Sequence, residues 1–352
     1  GARKEILKAV AARDDVPEQW LLLGRVDLET GRPADALLAY SRVLELDATN
    51  IEALQLVAEL SFQFGNTREA AKSADRVLAL DPNTTRAILV KGLIALGKKD
   101  AAGAMSAAES ILKLKPKDEF GLVLKARALA IGKDYQGAVK IIEEGVPEAQ
   151  RTEASFATLC ELYRVLGDKD RVVGNIDKLL ARRPNDADLK LDLAEVLYKS
   201  GNVARARVTL YSLLVSQQNN VEVVQKISEL WTENDGSALT PAQLKVISDK
   251  GSKTARLGVA RYLIDRGQAD LAANMLRVSD DDGDKGEAAD AKALYATALY
   301  KQGNAAGARA IADQILASDK NNIDALLLRA RIALRQRDLT AALNDAQIAN
   351  TD

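Results

Sequence analysis

The sequence IEALQLVAELSFQFGNTREAAKSADRVLALDPNT, residues 51–84, carries a pattern of bulky, small and glycine residues that recurs along the chain every 34 residues. The pattern keeps its register, so the chain divides into consecutive repeats that follow one another without a gap. The first six repeats begin at Pro17, Ile51, Thr85, Glu119, Glu153 and Ala187. The sequence therefore predicts a repeat protein.

Each repeat is predicted to form two helices separated by a break. A bulky residue occupies position 4, and small residues occupy positions 8 and 20. In residues 51–84 these are Leu54, Ala58 and Ala70. Position 15 is usually glycine, here Gly65, which can adopt the positive φ that a tight helix exit needs. Apolar residues recur at helical spacing on both sides of this position, which indicates two amphipathic helices.

The other positions are consistent with this interpretation. Small side chains at positions 8 and 20 allow the two helices of a repeat to approach closely. The Asp81–Asn83 run, Asp-Pro-Asn, is expected to end a second helix, and Gly97 and Gly132 are interpreted as breaks between the helices of the third and fourth repeats. One repeat cannot bury its own apolar face, so its stability must come from its neighbours.

This pattern resembles the tetratricopeptide repeat (TPR), which has the same period. The resemblance implies an all-α fold, a right-handed α-solenoid superhelix of nine to ten tandem helix-turn-helix repeats, one of them degenerate. We expect residues 1–352 to form this single solenoid, with residues 1–16 supplying the second helix of a preceding repeat.

The repeat pattern changes over residues 221–252, where a seventh, degenerate repeat is predicted. A turn cluster at residues 233–237 replaces the tight glycine exit. Thr240, Pro241 and Gln243 then predict a helix start with an N-cap, a proline at the first helical position and a capping box. The later repeats are predicted to begin at Lys253, Ala289 and Ile323.

Both ends of the sequence resemble the interior of an array. Residues 3–12 align with a second helix, and the sequence stops at Asp352 while the tenth repeat is ending. The sequence lacks an initiator methionine, and Gly1 is typical of a cleavage scar. We therefore expect an excised part of a longer protein; an intact mass of the natural product near 37.9 kDa would contradict this.

The composition limits the chemistry of the chain. There are 49 basic and 50 acidic residues, so no overall field attracts nucleic acid or an anionic membrane. The absence of histidine excludes Ser-His-Asp and Cys-His catalysis and the common zinc sites on residue type. The single cysteine, Cys160, lies at the small position 8 and is interpreted as a packing residue.

Two segments invite a ligand-binding interpretation that their spacing does not support. The acidic stretch Asp280–Asp284 has the carboxylate density of a calcium loop, but Lys285 and Ala291 stand where an EF-hand requires Gly and Glu. We interpret it as a solvated loop between repeats. No phosphate-binding Gly-x-x-x-x-Gly-Lys-Ser/Thr motif is present. The sequence thus predicts no catalytic residue, metal or cofactor.

The resemblance also implies a partner-binding surface, because first helices of such repeats line the concave face and present positions 2, 5, 9, 12 and 13. In the first four repeats we expect this surface to contain Leu21, Arg25, Leu28, Gln55, Glu59, Phe62, Leu89, Leu93, Leu96, Val123, Arg127 and Ile131. Later repeats place charged residues there, with Tyr198 and Tyr300 as contact candidates. Alternatively, the leucines pack against neighbouring helices.

The surface leads to a functional hypothesis. We expect a non-catalytic scaffold that binds a peptide or protein segment along the concave face, in a bacterial envelope or secretion assembly. The Ala-rich, Arg/Asp-rich repeats resemble long bacterial proteins of this family, which favours a periplasmic or membrane-anchored location over the cytoplasm. The Lys–Asn pair at positions 5 and 9 with which some relatives clamp acidic peptide tails is missing, for example at Leu89 and Leu93.

Two alternatives from other classes stay open. The array can be the accessory region of a longer enzyme, such as a glycosyltransferase, and the full-length sequence would distinguish this. A nucleic-acid reader of the related helical-repeat type is disfavoured by the neutral charge and the lack of a basic stripe. The sequence does not determine the oligomeric state.

Overall fold

The computed structural model describes residues 2–277 and 285–350, and over these residues it contains α-helices, one short 3-10 helix (Glu148–Gln150) and no β-strand. This confirms the predicted all-α repeat fold. The acidic stretch Asp280–Asp284 lies outside the described residues. The α-helices are α1 (Ala2–Ala12), α2 (Pro17–Glu29), α3 (Pro33–Leu46), α4 (Ile51–Gln63), α5 (Thr67–Leu80), α6 (Thr85–Gly97), α7 (Ala101–Leu114), α8 (Glu119–Ile131), α9 (Tyr135–Gly145), α10 (Glu153–Leu166), α11 (Lys169–Arg182), α12 (Ala187–Lys199), α13 (Val203–Ser216), α14 (Val221–Asn234), α15 (Pro241–Lys250), α16 (Lys253–Asp265), α17 (Ala269–Leu276), α18 (Lys285–Lys301), α19 (Ala305–Ser318), α20 (Ile323–Arg335) and α21 (Leu339–Ala349).

The helices pack in sequence order within two blocks, an N-terminal block up to Leu179 and a C-terminal block from Leu180. In the N-terminal block, α4 packs on α5, α5 on α6 and α6 on α7, and the first helices α4, α6, α8 and α10 also contact one another in turn. The C-terminal block repeats this arrangement, with α14, α16, α18 and α20 as successive first helices in contact. In each block the first helices therefore share one face.

Small residues set the distance between the two helices of a repeat. At position 8 of the first repeat, a Cβ added to Gly24 would lie 2.6 Å from the Cζ atom of Tyr40, whose side chain is fully buried. In the second repeat Ala58 and Ala70, at positions 8 and 20, are both fully buried. A larger residue at these positions would clash with the facing helix, because protein interiors are packed without spare volume.

Polar side chains start most of the helices. Asn50, for example, accepts a hydrogen bond from the backbone N–H of Ala53 at 3.0 Å, which satisfies a donor that the first turn leaves free. Each such N-cap contributes about 1 kcal/mol. Side chains cap their helices in this way at Asn50, Asn66, Asp100, Asp118, Asp134, Asp186, Asn202, Asn220, Thr240, Ser252, Asn304, Asn322 and Asp338.

The break between the helices of a repeat adopts a left-handed conformation at position 15. Gly65 has a φ of 78° there, as the sequence predicts. In the third and fourth repeats, however, Lys99 and Lys133 take φ values of 58° and 65°, while Gly97 and Gly132 precede them. The conformation thus belongs to the position, and a non-glycine residue there costs about 1–2 kcal/mol.

The degenerate seventh repeat consists of α14 and a short α15, joined by a turn around Asp235. The predicted capping box is present: the Thr240 side chain accepts from the Gln243 backbone, and the Gln243 side chain accepts from the Thr240 N–H at 2.9 Å. Arg207 on α13 donates two hydrogen bonds to the buried Asp235 carboxylate, at 2.6 and 2.7 Å. The Tyr262 hydroxyl donates to the Asp235 carbonyl at 3.0 Å. These contacts replace the glycine exit that this repeat lacks.

Candidate functional site

The first helices of the N-terminal block form an open cleft between α4, α6 and the start of α8. The cleft has a volume of about 430 Å³, and its walls are mostly apolar. Phe62 comes from α4, Leu89 and Leu93 come from α6, and Phe120 in the first turn of α8 is 47% exposed. We call these four residues the apolar cleft. They bring together side chains from the second, third and fourth repeats.

Ion pairs link the successive first helices around this cleft. Arg86 on α6 donates to Glu59 on α4 at 2.5 Å, and both residues line the cleft. Arg25 on α2 likewise donates to Glu52 on α4, with one contact of 2.7 Å. This hydrogen bond, aided by the positive charge, lowers the pKa of the Glu52 carboxyl. The pairs are largely exposed, so each contributes less than about 1 kcal/mol to stability.

The apolar residues expected at the binding surface differ in how far they are buried, and some of them contact both the cleft and the core. Leu93 is half-buried and lines the cleft, as do Phe62 and Leu89. Several also pack against the hydrophobic core, so they support the helices as well as the surface; these are Leu21, Leu28, Phe62, Leu89 and Leu96. Val123 is 7% exposed and belongs to the interior.

The polar and aromatic candidates lie in different environments. Arg25 and Arg127 are exposed, and Arg127 is 3.9 Å from Glu161 on the next first helix. Tyr198 is only 8% exposed and donates to Asp235 at 3.3 Å; burial, together with this carboxylate, raises the pKa of its hydroxyl. Tyr300 is half-buried, with the Arg335 guanidinium 5.9 Å from its ring centre.

A second groove lies on the first-helix face of the C-terminal block, between α14, α16 and α18. It has a volume of about 270 Å³. Its floor is formed by Val224, Leu257 and Leu294, and acidic residues stand around it. We call it the acidic groove; its acidic residues are Glu229, Glu233, Asp265 and Asp290.

The binding surface predicted from the sequence did not include these acidic residues or Phe120. Phe120 occupies position 2 of its repeat, a position that the family resemblance includes. Glu229 and Glu233 occupy positions 9 and 13 of the degenerate repeat, and Asp265 occupies position 13 of the next. Asp290, like Phe120, occupies position 2 of its repeat. Applying positions 2, 9 and 13 to every repeat, including the interrupted one, would therefore have identified all five residues.

The described residues contain no group of three or more Cys, His, Asp or Glu side chains that could hold a metal ion. Cys160 is 7% exposed, and its thiol lies 3.8 Å from the Val172 carbonyl oxygen, as expected of a packing residue. None of the helices in the described ranges combines the length and the apolar composition that a membrane span requires.

Comparison with known proteins identifies the repeat. One tetratricopeptide repeat model matches residues 27–94 and 173–229, and a second matches residues 1–51, 257–323 and 296–349. None of the curated proteins matches the chain in sequence.

Solved structures with similar folds include PilW, a type IV pilus biogenesis factor. It is 16% identical, and the match covers 61% of this chain and 97% of PilW with a TM-score of 0.50. A thermophilic TPR protein of Thermus thermophilus, TTC0263, is 22% identical, with coverage of 52% and 99% and a TM-score of 0.46. At these identities the likeness to PilW is one of fold. Paired helices, their regular spacing and the two repeat-model matches together show that the chain belongs to the tetratricopeptide repeat family.

Proposed function

We propose that this chain is a non-catalytic scaffold that binds a segment of another protein along the face formed by its first helices. The observation that carries the proposal is the apolar cleft. Phe120 is 47% exposed and lines the cleft together with Leu89 and Leu93, so apolar surface remains in contact with water. Contiguous apolar surface of this kind is typical of protein-binding sites.

The cleft favours a partner with apolar anchor residues. Burying one such side chain fully contributes about 1.5–3 kcal/mol, so two or three anchors across neighbouring repeats supply about 3–9 kcal/mol towards the cost of association. Arg86 is already paired with Glu59 at the edge of the cleft, which makes it a poor receptor for a free carboxylate. The partner of the apolar cleft is therefore an amphipathic or apolar segment rather than an acidic tail.

Three observations support the non-catalytic part of the proposal. The family is generally non-catalytic. The chain has no histidine, and its only cysteine is buried. We further propose that the scaffold serves a bacterial envelope or secretion assembly. This setting rests on the composition of the repeats, because a fold shared with a pilus biogenesis factor is compatible with many functions.

Replacing Leu93 by Glu tests the proposal. The substitution places a charge in the cleft, while Leu38→Glu is a matched control because Leu38, on the second helix α3, is 71% exposed and does not line the cleft. Each variant is coupled to a resin and used to capture proteins from a lysate of the source organism. We expect L93E to lose the captured partner and L38E to retain it, with the helicity of both unchanged by circular dichroism.

Two results would count against the proposal. If L93E captured the same partner as the native chain, the cleft would not be the binding site. If L93E lost its helicity, Leu93 would act mainly in the core, and Phe120→Ser would then test the cleft, because the exposed ring contributes less to packing.

A further inference from the structure

The acidic groove of the C-terminal block has a shape suited to one or two side chains. A Cβ on Gly258 would lie 2.3 Å from Cγ1 of Val224, so the absence of a side chain lets α16 approach α14 closely. The Ser228 hydroxyl donates to the Gly258 carbonyl at 2.9 Å and fixes this contact. The resulting volume of about 270 Å³ lies just below the range of roughly 300–1,000 Å³ for small-molecule pockets.

The charges around the groove are unbalanced. Within the described part of the chain, none of Glu229, Glu233, Asp265 and Asp290 lies within 4 Å of a cationic side chain, and Arg261 is the one basic residue lining the groove. The first helices of the N-terminal block differ, because there acidic residues such as Glu59 pair with an arginine on the first helix of the next repeat.

The excess of negative charge extends to a neighbouring depression of about 320 Å³ on α12 and α14. This depression shares Glu229 and Glu233 with the acidic groove and adds Asp188, Asp192 and Glu195, of which Glu195 is paired with Lys199 on the same helix. Its basic lining residue, Lys226, already donates to Glu222 at 2.8 Å. Acidic residues therefore outnumber basic ones around the apolar floor of the groove, and at its rim Glu229 and Glu233 repel one another when no partner is bound.

We propose that the acidic groove binds a basic polypeptide segment in which an apolar side chain is flanked by lysine or arginine. The apolar side chain covers Leu257 and Leu294, the half-buried residues of the floor, and the flanking cations neutralise the carboxylates at the rim. A small inorganic cation would satisfy only the charges and leave the floor exposed. The inference rests on the proposed scaffold function, but it concerns a different block from the apolar cleft and a different chemistry.

A direct binding measurement tests this selectivity. The probe is a fluorescein-labelled peptide of alternating leucine and lysine pairs, and the comparison peptide carries glutamine in place of every lysine. Fluorescence anisotropy with the full chain is measured at low and at physiological salt. The groove variant is Glu229→Gln/Glu233→Gln. The control is Asp249→Asn/Asp270→Asn, which removes the same net charge from exposed residues of α15 and α17 that do not line the groove.

We expect the lysine peptide to bind more tightly than the glutamine peptide, and the groove variant to weaken its binding by roughly three- to tenfold, the effect of losing two exposed charge pairs. The control variant should bind as the native chain does. Higher salt should weaken binding to the native chain more than to the groove variant.

Other outcomes overturn the inference. Equal weakening in the groove and control variants would show non-specific attraction, and the absence of lysine-peptide binding would show that the groove does not accept this chemistry. Equal binding of both peptides would refute charge selection while leaving the scaffold function intact. The L93E variant separates the two proposals: the loss of lysine-peptide affinity caused by Glu229→Gln/Glu233→Gln should be the same with and without L93E, even if the apolar cleft proves to have no partner.

Discussion

The contact between Arg207 and Asp235 should be the most important single ion pair for the degenerate repeat. The Asp235 side chain is 2% exposed, whereas that of Arg207 is 39% exposed. Burial raises the pKa of the Asp235 carboxyl, but hydrogen bonds from Arg207 and from the Ser237 backbone outweigh this effect and lower it overall. Replacing Arg207 by Ala would leave a buried carboxylate without its cation.

The cost of this substitution can be bounded from the structure. Removing one partner of a fully buried pair costs about 3–5 kcal/mol. Here Asp235 would keep the Ser237 N–H at 3.0 Å and the Tyr198 hydroxyl, so we expect R207A to cost about 2–3 kcal/mol. Asp235→Asn should cost less, about 1–2 kcal/mol, because the arginine left behind can reach water.

The effect should also depend on pH. A carboxyl whose pKa is lowered by folding stabilises the protein above its unfolded pKa of about 3.9, and this contribution is lost as the pH falls through the folded value. Without Arg207, burial dominates and raises the pKa of Asp235. The destabilisation caused by R207A should therefore be largest near neutral pH and shrink as the pH falls from about 5 to 3.

Urea unfolding followed by the fluorescence of Trp231 measures the stability of the region around Asp235, at neutral and at acidic pH. Trp231 is fully buried and packs on the Tyr262 ring at a centroid distance of 5.6 Å. The second tryptophan, Trp20, is replaced by Phe in all samples. A cost for R207A below about 1 kcal/mol at neutral pH, or an equal cost at acidic pH, would refute the role assigned to the pair.

Two further predictions concern glycines. Gly174 lies within α11, and no atom lies within 4 Å of the position that a Cβ would take, so Gly174→Ala should stabilise the chain by about 0.5–1 kcal/mol. Gly201 has a φ of 80°, so Gly201→Ala should destabilise the chain by about 1–2 kcal/mol. Thermal unfolding measures both variants, and midpoints that shift in the same direction would contradict the reasoning. Gly258→Ala should cost about 1–3 kcal/mol in urea unfolding, because its Cβ meets Val224; an unchanged midpoint would show that α14 and α16 separate freely.

Repeat periodicity was sufficient to predict the helices. The first helices begin at Pro17, Ile51 and Thr85, the same residues at which the sequence pattern divides the chain. The pattern is local, since caps, helix exits and small contact residues act within a few positions, so each signal can be recognised in one repeat. The ninth repeat differs, because α18 begins at Lys285 rather than at Ala289.

The surface was less predictable, because it depends on which side chains the neighbouring repeats leave uncovered. Leu28 and Leu93, at positions 12 and 9 of their repeats, are both leucines expected on the binding surface, yet Leu28 packs against buried core residues such as Tyr40 while Leu93 lines the cleft. Similarly, nothing local in the sequence shows that Glu59 meets an arginine on the first helix of the next repeat whereas Glu229 does not. Pairing between repeats depends on three-dimensional contacts that periodicity alone does not give.

The side-chain caps have an evolutionary consequence. Asn50 and Asn202 each define a helix start through a residue three positions away, so no distant part of the chain is needed to specify it. A duplication or deletion of one whole repeat would carry these signals with it and leave those of the adjoining repeats unchanged. Array length can thus vary in whole repeats, and a lineage can lengthen or shorten its recognition surface without inventing new boundaries.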